Sequence, residues 1–280
     1  MWISKNIELG APLKVSRWRK ISMASWKVTR DASIVSILDL DVEPALAYLA
    51  KLQTTSTAKL TLTHFAGYVL GKMFAKYPEI NCLIRGGRLY PRLTADICFV
   101  VGSGKTGGEE DLAGHVVRSA DQAGVVRIAE ELTPGALLIR QGKDITFRGI
   151  KQYIGIFPGW IRGPLVNLAD FILHGLNLWS PILGFAKDSF GSAMLTSVGS
   201  LDIEFAIPRI YPQSRNVMMV SVGAVREKPV VRNGKVVVGK VLKIVFVADH
   251  RIVDGLHAAY LLKEFQAWFE NPERETSHSA

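Results

Sequence analysis

Apolar and polar positions follow two different periods along the chain. Residues 33–42 are rich in branched apolar side chains, which is typical of a β-strand, whereas residues 61–76 have apolar positions at helical spacing. Between them, Glu43-Pro44 predicts a helix start, because proline is tolerated in the first helical turn. That helix is predicted to run to about residue 53, and two further helices are predicted over 121–131 and 256–270. Strands are predicted over 96–101, 193–198, 216–222 and 241–247. This mixture predicts an α/β or α+β fold with one extensive sheet.

The last third of the chain predicts a buried strand that leads into a charged loop. Asn233-Gly234 is the strongest short-range turn signal and indicates a hairpin over 227–240. Residues 241–247 are almost wholly apolar, as in a strand that is buried on both faces. The strand runs directly into Asp249-His250, so a histidine is expected at a strand end, where loops expose catalytic groups.

His250 is the residue in this loop best suited to acid–base chemistry. Imidazole titrates near neutral pH and can take a proton from a thiol or an alcohol. Among the flanking charges of Asp249, Arg251 and Asp254, one carboxylate and one guanidinium could form an ion pair that holds the loop. Gly255 would permit a tight turn that a side chain would block. These residues alone leave open a solvated loop whose charges merely pair.

A segment in the middle of the chain is unusually apolar. Its charged residues from 149 to 186 are Lys151, Arg162 and Asp170 alone. The stretch without charge, 171–186, is shorter than the roughly 20 residues that a membrane-spanning helix requires. We therefore predict no transmembrane helix here. The segment either packs inside the protein or lies on an apolar partner, an acyl chain or the membrane interface.

Composition and charge narrow the classes of function. The 280 residues are 48% hydrophobic and 21% charged, which is typical of a globular protein. The net charge of +9 favours an anionic partner such as a phosphate-rich cofactor or anionic lipid, while the lack of a nucleic-acid-binding motif argues against nucleic acid. Cys82 and Cys98 are predicted to be buried thiols in a reducing compartment, and the N-terminus has no apolar leader stretch, which together predict the cytoplasm.

The remaining histidines do not predict a second site. His64 lies within a helical apolar pattern and is predicted to pack in the core. His257, on the helix after His250, could lie near the site but is predicted to be exposed, and His174 is ambiguous. Since no pair of His, Asp or Glu has metal-ligand spacing, no metal is expected.

The loop around His250 carries a family resemblance. The run Asp249-His250-Arg251-Ile252-Val253-Asp254-Gly255 resembles the Asp-His-Arg-x-x-Asp-Gly signature of the 2-oxoacid dehydrogenase E2 catalytic domain. That family includes the dihydrolipoamide acyltransferases and shares its fold with chloramphenicol acetyltransferase. Similar elements occur at 17–21, 77–81, 95–101, 195–199, 212–213 and 220–223. The resemblance implies a chloramphenicol acetyltransferase-like two-layer sandwich with a large mixed sheet, one catalytic domain over 1–280, and a homotrimer with active sites at subunit interfaces.

The resemblance also implies roles for particular residues. His250 would be the general base that deprotonates the acceptor, a CoA or lipoyl thiol, which then attacks the acyl thioester. A hydroxyl of Thr196 or Ser197 would stabilise the oxyanion, since either residue can donate a hydrogen bond. Asp254 would form a hydrogen bond with Arg19 or, alternatively, with Arg17. The implied substrate is CoA or an acyl-CoA, with no metal.

Three departures from the family pattern bear on the substrate. No lipoyl domain or linker accompanies the sequence, which predicts a free-standing enzyme with no lipoyl group on this chain. His115 replaces a proline near the family's substrate channel. The apolar segment, taken as an insertion at about 149–190, is much longer than the family's connection. It either shapes a pocket for a hydrophobic substrate, or covers a sheet face as a helical hairpin or makes a trimer contact.

Two other functions remain open from the sequence. The chain could be a dihydrolipoamide acyltransferase that works with a lipoyl domain on a separate protein. It could also be a non-catalytic, E2-like trimeric scaffold or a membrane-surface adaptor, with peripheral membrane contact through the apolar segment. The joint presence of His250, Asp254 and the two hydroxyls favours an enzyme over an inactive scaffold. The apolar segment suggests a small-molecule or lipid-like acceptor for that enzyme.

Overall fold

The computed structural model describes residues 4–17, 20, 31–103, 111–141, 157–181 and 186–274. Its helices are α1 (Glu43–Gln53), α2 (Leu62–Lys76), α3 (Val125–Arg140), α4 (Gly159–Asp170) and α5 (Gly255–Glu270). Its strands are β1 (Ser4–Lys5), β2 (Ser33–Asp41), β3 (Cys82–Arg85), β4 (Arg88–Pro91), β5 (Ile97–Ser103), β6 (Asp111–Val117), β7 (Leu178–Trp179), β8 (Ala193–Ser197), β9 (Met218–Arg232) and β10 (Lys235–Asp249). The predicted strand at 33–42 and the helices at 43–53, 61–76 and 256–270 are thus confirmed to within a residue or two.

Six strands form one mixed sheet in the order β2-β10-β9-β8-β5-β6. The pairs β9/β8 and β8/β5 are parallel, and the other pairs are antiparallel. Helices cover one face: Phe265 of α5 packs edge-on against Phe246 of β10, with ring centroids 4.9 Å apart, and Phe65 of α2 packs on Phe269 at 4.9 Å. The buried side chains of this layer form the main core. The predicted α/β fold with an extensive mixed sheet is therefore confirmed.

The hairpin after β9 is longer than the sequence predicts. Asn233 and Gly234 both have positive φ, 52° and 75°, as the predicted two-residue turn requires. The strands on either side run for 15 residues each, so the segments predicted at 216–222, 227–240 and 241–247 merge into two strands. β9 and β10 pair with each other from the turn to the core end. The outer half of β9 alternates exposed and half-buried positions, whereas its inner half is buried almost throughout, so one strand gives two different sequence patterns.

Helix α3 differs from its prediction. From the sequence we predict a short helix over 121–131. The helix instead runs through Pro134 to Arg140, because Leu132 and Ile139 bury their side chains on either side of the proline. Tertiary packing here outweighs the hydrogen bond that proline cannot donate.

Strand β6 was not predicted, and it determines the position of His115. The strand pairs antiparallel with β5, and His115 lies opposite Phe99. A Cβ atom on Gly135 of α3 would clash with the imidazole ring of His115, so this ring packs directly beneath α3. Within one chain His115 is therefore four strands away from β10, the strand that leads to His250.

The described part of the apolar segment contains α4, a π-helical turn at Phe171–Gly175 and β7. No residue of α4 is fully buried. β7 pairs with β1, and the Asn177 side chain both accepts from Ile7 N and donates to Ile7 O at 2.8 Å. Across the described residues, none of the helices has the length and apolarity that a bilayer crossing demands. The segment is anchored on the N-terminal strand.

His64 is buried in the core, as predicted, and its pKa makes the stability of the protein depend on pH. It is 8% exposed, and its Nδ1 accepts from Thr61 N at 3.2 Å, while its own backbone N donates to Thr61 Oγ1. Burial lowers the pKa of His64 to about 4 from an ordinary value of 6.5. Because the folded-state pKa is the lower one, stability is complete above about pH 6.5 and is lost as the pH falls towards 4.

We expect the free energy of unfolding to fall by about 2 kcal/mol between pH 7 and pH 4.5 through His64 alone. His64→Gln keeps an acceptor at this capping position but cannot titrate, so it should lose less stability over that interval. Urea unfolding of both proteins at the two pH values measures the difference. Equal losses in wild type and variant would contradict this role of His64.

Candidate functional site

Backbone hydrogen bonds fix His250 one residue beyond β10. His250 N donates to Ala32 O at 2.7 Å, and Asp249 N donates to Val217 O at 2.8 Å, so the loop begins as a continuation of the sheet. The half-buried side chain places Nδ1 2.8 Å from Val253 O. Because a carbonyl oxygen only accepts hydrogen bonds, Nδ1 carries the proton, and Nε2 is the nitrogen with the basic lone pair.

The predicted ion pair of the loop is confirmed. Arg251 donates from Nε to Asp249 Oδ1 at 2.9 Å and from Nη2 to Oδ2 at 2.6 Å, a two-pronged contact. The hydrogen bond with Asp249 raises the pKa of Arg251 above its ordinary value. Ile252 and Val253, which follow, are buried. A charge-assisted pair and two buried side chains therefore hold the loop that carries His250.

Asp254 forms the N-cap of α5. Its Oδ1 accepts from His257 N at 3.0 Å and lies 2.5 Å from His257 Nδ1. The prediction that His257 is exposed is therefore wrong: the ring is half-buried because it folds back onto the capping carboxylate. Arg19, expected to bond Asp254, lies outside the described residues, and Arg17 is exposed.

Loss of this cap has a measurable cost. Asp254→Ala should lower the free energy of unfolding by about 1 kcal/mol, because the first turn of α5 loses its side-chain acceptor. Asp254→Asn keeps a capping oxygen and should retain most of that stability. Urea unfolding at pH 7 compares the two variants. If Asn cost as much as Ala, the negative charge next to His257 would be the stabilising feature instead of the cap.

The glycine of the motif makes no close backbone contact among the described residues. A Cβ atom built on Gly255 would meet open space among these residues, so the expected turn that excludes a side chain stays a prediction. Close approach occurs instead at Gly199 and Gly223. A Cβ atom on Gly223 would clash with Glu204 O, and one on Gly199 would clash with Gly223 O. These contacts fix the backbone that follows β8.

Thr196 and Ser197 both lie near the end of β8 and are half-buried. Thr196 pairs with Ser221 of β9. Successive residues of a strand face opposite sides, and Leu195 belongs to the core under the helices. Ser197 therefore lies on the helix-covered side of the sheet and Thr196 on the other side. The buried hydroxyl of Ser221, next to Thr196, has no hydrogen-bond partner among the described residues.

His250 and Thr196 lie far apart along the strand direction of the sheet. Thr196 pairs with Ser221, which pairs with Val245, five residues before His250. At roughly 3.3 Å per residue and 4.8 Å per strand, they are about 17 Å apart along the strands and about 10 Å across them. A base and an oxyanion donor must each lie about 3 Å from the reacting groups. One chain therefore does not bring these two residues to the same carbonyl.

The cysteines are confirmed as free and buried. Burial raises the pKa of both Cys82 and Cys98 to about 12. Neither thiol is ionised near neutral pH, so neither is a suitable nucleophile. The described residues contain no group of three or more His, Cys, Asp or Glu side chains arranged to hold a metal ion.

Comparison with known proteins points to one family. Residues 187–276, which include Thr196, Ser197 and the loop from His250 to Gly255, match the family model for 2-oxoacid dehydrogenases acyltransferase (catalytic domain). The lipoamide acyltransferase component of the branched-chain alpha-keto acid dehydrogenase complex of Bacillus subtilis (strain 168) is 22% identical over 246 residues, 86% of this chain and 47% of that protein. The chain thus spans about half the length of this relative.

Solved structures show the same fold. A dihydrolipoamide acetyltransferase (E2p) of Azotobacter vinelandii, whose serine, histidine and asparagine residues were studied for their role in its catalytic mechanism, aligns with a TM-score of 0.64 at 15% identity, over 94% of this chain and 93% of that one. A chloramphenicol acetyltransferase aligns with a TM-score of 0.51 at 14% identity, over 92% and 99% of the two chains. The chain therefore has a chloramphenicol acetyltransferase-like fold, and its residues 187–276 match the catalytic domain of the 2-oxoacid dehydrogenase acyltransferases.

Proposed function

We propose that this protein transfers an acyl group between a CoA thioester and an acceptor, with His250 as the general base. The observation that carries the proposal is the hydrogen bond from His250 Nδ1 to Val253 O, within the stretch that matches the acyltransferase family. This bond leaves Nε2 as the nitrogen that takes a proton from a thiol, an alcohol or an amine. The net charge of +9 suits the phosphates of CoA.

The proposed step conserves protons. Nε2 of His250 takes the proton of the acceptor, whose sulfur, oxygen or nitrogen attacks the thioester carbonyl. The hydroxyl of Thr196 or Ser197 donates to the oxyanion. When the tetrahedral intermediate collapses, the carbon–sulfur bond breaks and the imidazolium returns the proton to the CoA sulfur. No acyl-enzyme is formed.

The site is proposed to be completed by a second copy, in a homotrimer with its active sites at the subunit interfaces. The separation of His250 from Thr196 within one chain supports this, since the two residues could meet only across an interface. Exposed apolar side chains also support self-association. They lie on β2, on the segment after β8 and near the hairpin tip: Val35, Ile37, Leu201, Ile203, Phe205, Ile207, Val231, Val236 and Val238.

The Azotobacter vinelandii acetyltransferase supports the assignment of the site. The histidine and asparagine studied in that protein are four residues apart, the same spacing as His250 and Asp254. We therefore assign Asp254 to the site as the residue that caps α5 and holds the loop, with Arg19 as its proposed partner. Residues 1–280 are treated as one catalytic domain with the apolar insertion at about 149–190.

A second candidate is a dihydrolipoamide acyltransferase that acts with a lipoyl group on another protein. The matched relative is a lipoamide acyltransferase component, which favours a lipoyl thiol among the acceptors. No structural observation favours a non-catalytic scaffold or membrane-surface adaptor over these two enzymes.

The test is release of free CoA from acyl-CoAs of graded chain length, in the presence of alcohol, amine or dihydrolipoamide acceptors. Acceptor-dependent release is the expected result. A preference for dihydrolipoamide would select the second candidate. Failure of every donor and acceptor pair would overturn acyl transfer from CoA.

A further inference from the structure

A small cavity lies between α4 and the chain that leads into β9. Its walls are mostly apolar, and its volume is about 40 Å³, room for a group of a few heavy atoms. The apolar walls come from α4, the π-helical turn and the segment after the turn: Val166, Ala169, Leu173, Ala186, Phe190 and Tyr211. The cavity is separate from the residues assigned above to acyl transfer.

His174 is the polar group best placed to bind something in this cavity. Its side chain is 8% exposed and lines the cavity, and Nδ1 lies 2.9 Å from Asp170 Oδ1. Burial raises the pKa of Asp170, but hydrogen bonds from His174 and Arg215 outweigh it and hold the pKa below its ordinary value. The ionised carboxylate accepts, so Nδ1 carries the proton. Nε2 has no hydrogen-bond partner in the described part of the chain.

This arrangement is held from several sides. Arg215, which has a left-handed backbone with φ 54°, donates from Nε to Asp170 Oδ1 at 3.0 Å and pairs through Nη2 with Oδ2. Asn6 Nδ2 donates to Leu173 O at 3.2 Å, within the π-helical turn. The imidazole is therefore fixed in place before any ligand binds.

The lining selects the class of ligand. The Asp170 carboxylate already pairs with Arg215, so the cavity does not offer an unpaired charge to a cation. In the tautomer whose Nδ1–H is engaged by Asp170, Nε2 carries the lone pair, so a partner must donate a hydrogen bond to it. Burial raises the pKa of Tyr211, which keeps its hydroxyl neutral. An apolar group with a single donor fits these conditions.

We propose that this cavity binds a short aliphatic group that bears a hydroxyl, with His174 Nε2 as the hydrogen-bond acceptor and the apolar walls around the carbon chain. The site does not depend on acyl transfer at His250. Arg215 precedes Asn216 and Val217, and Val217 O accepts from Asp249 N, so the cavity lies at the same end of the sheet as His250.

The test uses saturation-transfer NMR with 2-methyl-1-propanol as the ligand. The control ligand is the methyl ether of that alcohol, which has no hydroxyl hydrogen to donate. The wild-type protein should transfer saturation to the alcohol several-fold more strongly than to the ether. Ala169→Phe fills the cavity and should remove the signal, whereas Leu168→Ala, on the exposed side of α4, should keep it. His174→Phe removes the acceptor and His174→Gln restores one, so the alcohol signal should be lost in the first and largely retained in the second.

Thermal unfolding checks that each variant is folded, and Val166→Phe is a second cavity-filling variant if Ala169→Phe is not. Equal signals for alcohol and ether would overturn the role of His174. Equal alcohol signals in wild type and a folded cavity-filled variant would overturn the site. Because binding is read directly, both outcomes are independent of whether the protein transfers acyl groups.

Discussion

His250→Ala should reduce acceptor-dependent release of CoA by about 10²–10⁴-fold, the usual contribution of a general base. The expectation follows from the tautomer: Nδ1 donates to Val253 O, so Nε2 is the basic nitrogen of a ring whose orientation is already fixed. The measurement is the initial rate of free CoA release, followed by chromatography, at saturating acyl-CoA and acceptor. Added imidazole should recover part of the lost rate, since a small base can enter the space that the side chain leaves.

The matched control is His64→Gln, which replaces a core histidine under the helices. At pH 7 it should retain wild-type activity, because the wild-type ring is already neutral there. A loss in His64→Gln equal to that in His250→Ala would indicate general disruption. Full activity of a folded His250→Ala protein would contradict the assignment of the base.

The loop around His250 could be predicted from the sequence because its interactions are local. Arg251 bonds a residue two positions away, and Asp254 caps a helix that begins at the next residue. Apolar periodicity likewise located the strand and helix on either side of the loop. Short-range signals of this kind determine local structure without help from distant parts of the chain.

The rest of the site depends on contacts between distant residues. Nothing in the sequence near Asp170 indicates that Arg215, 45 positions away, will pair with it. Strand β6 lacks a clear alternating pattern, and its place becomes visible only when it pairs with β5 and is covered by α3. The family motif named His250 and the hydroxyls of Thr196 and Ser197, but the wide separation of base and hydroxyl follows only from the register of β8, β9 and β10.

Two inactive variants should restore activity when they assemble together. His250→Ala lacks the base, and the double variant Thr196→Val with Ser197→Ala lacks both candidate oxyanion donors. If each site of a trimer takes the histidine from one subunit and the hydroxyl from the next, every mixed trimer contains one intact site. Mixed trimers isolated from the homotrimers should then have about a third of the wild-type activity, far above either variant alone.

The experiment is co-expression of the two variants with different affinity tags, followed by purification through both tags and measurement of free CoA release. Separately purified variants, mixed without subunit exchange, are the control and should remain inactive. No recovery in verified mixed oligomers would mean that base and hydroxyl act within one chain, which the strand register allows only if β8 or the His250 loop moves by more than 10 Å. Recovery would show that each active site is shared between two subunits. One subunit supplies His250, and the next supplies the hydroxyl of Thr196 or Ser197.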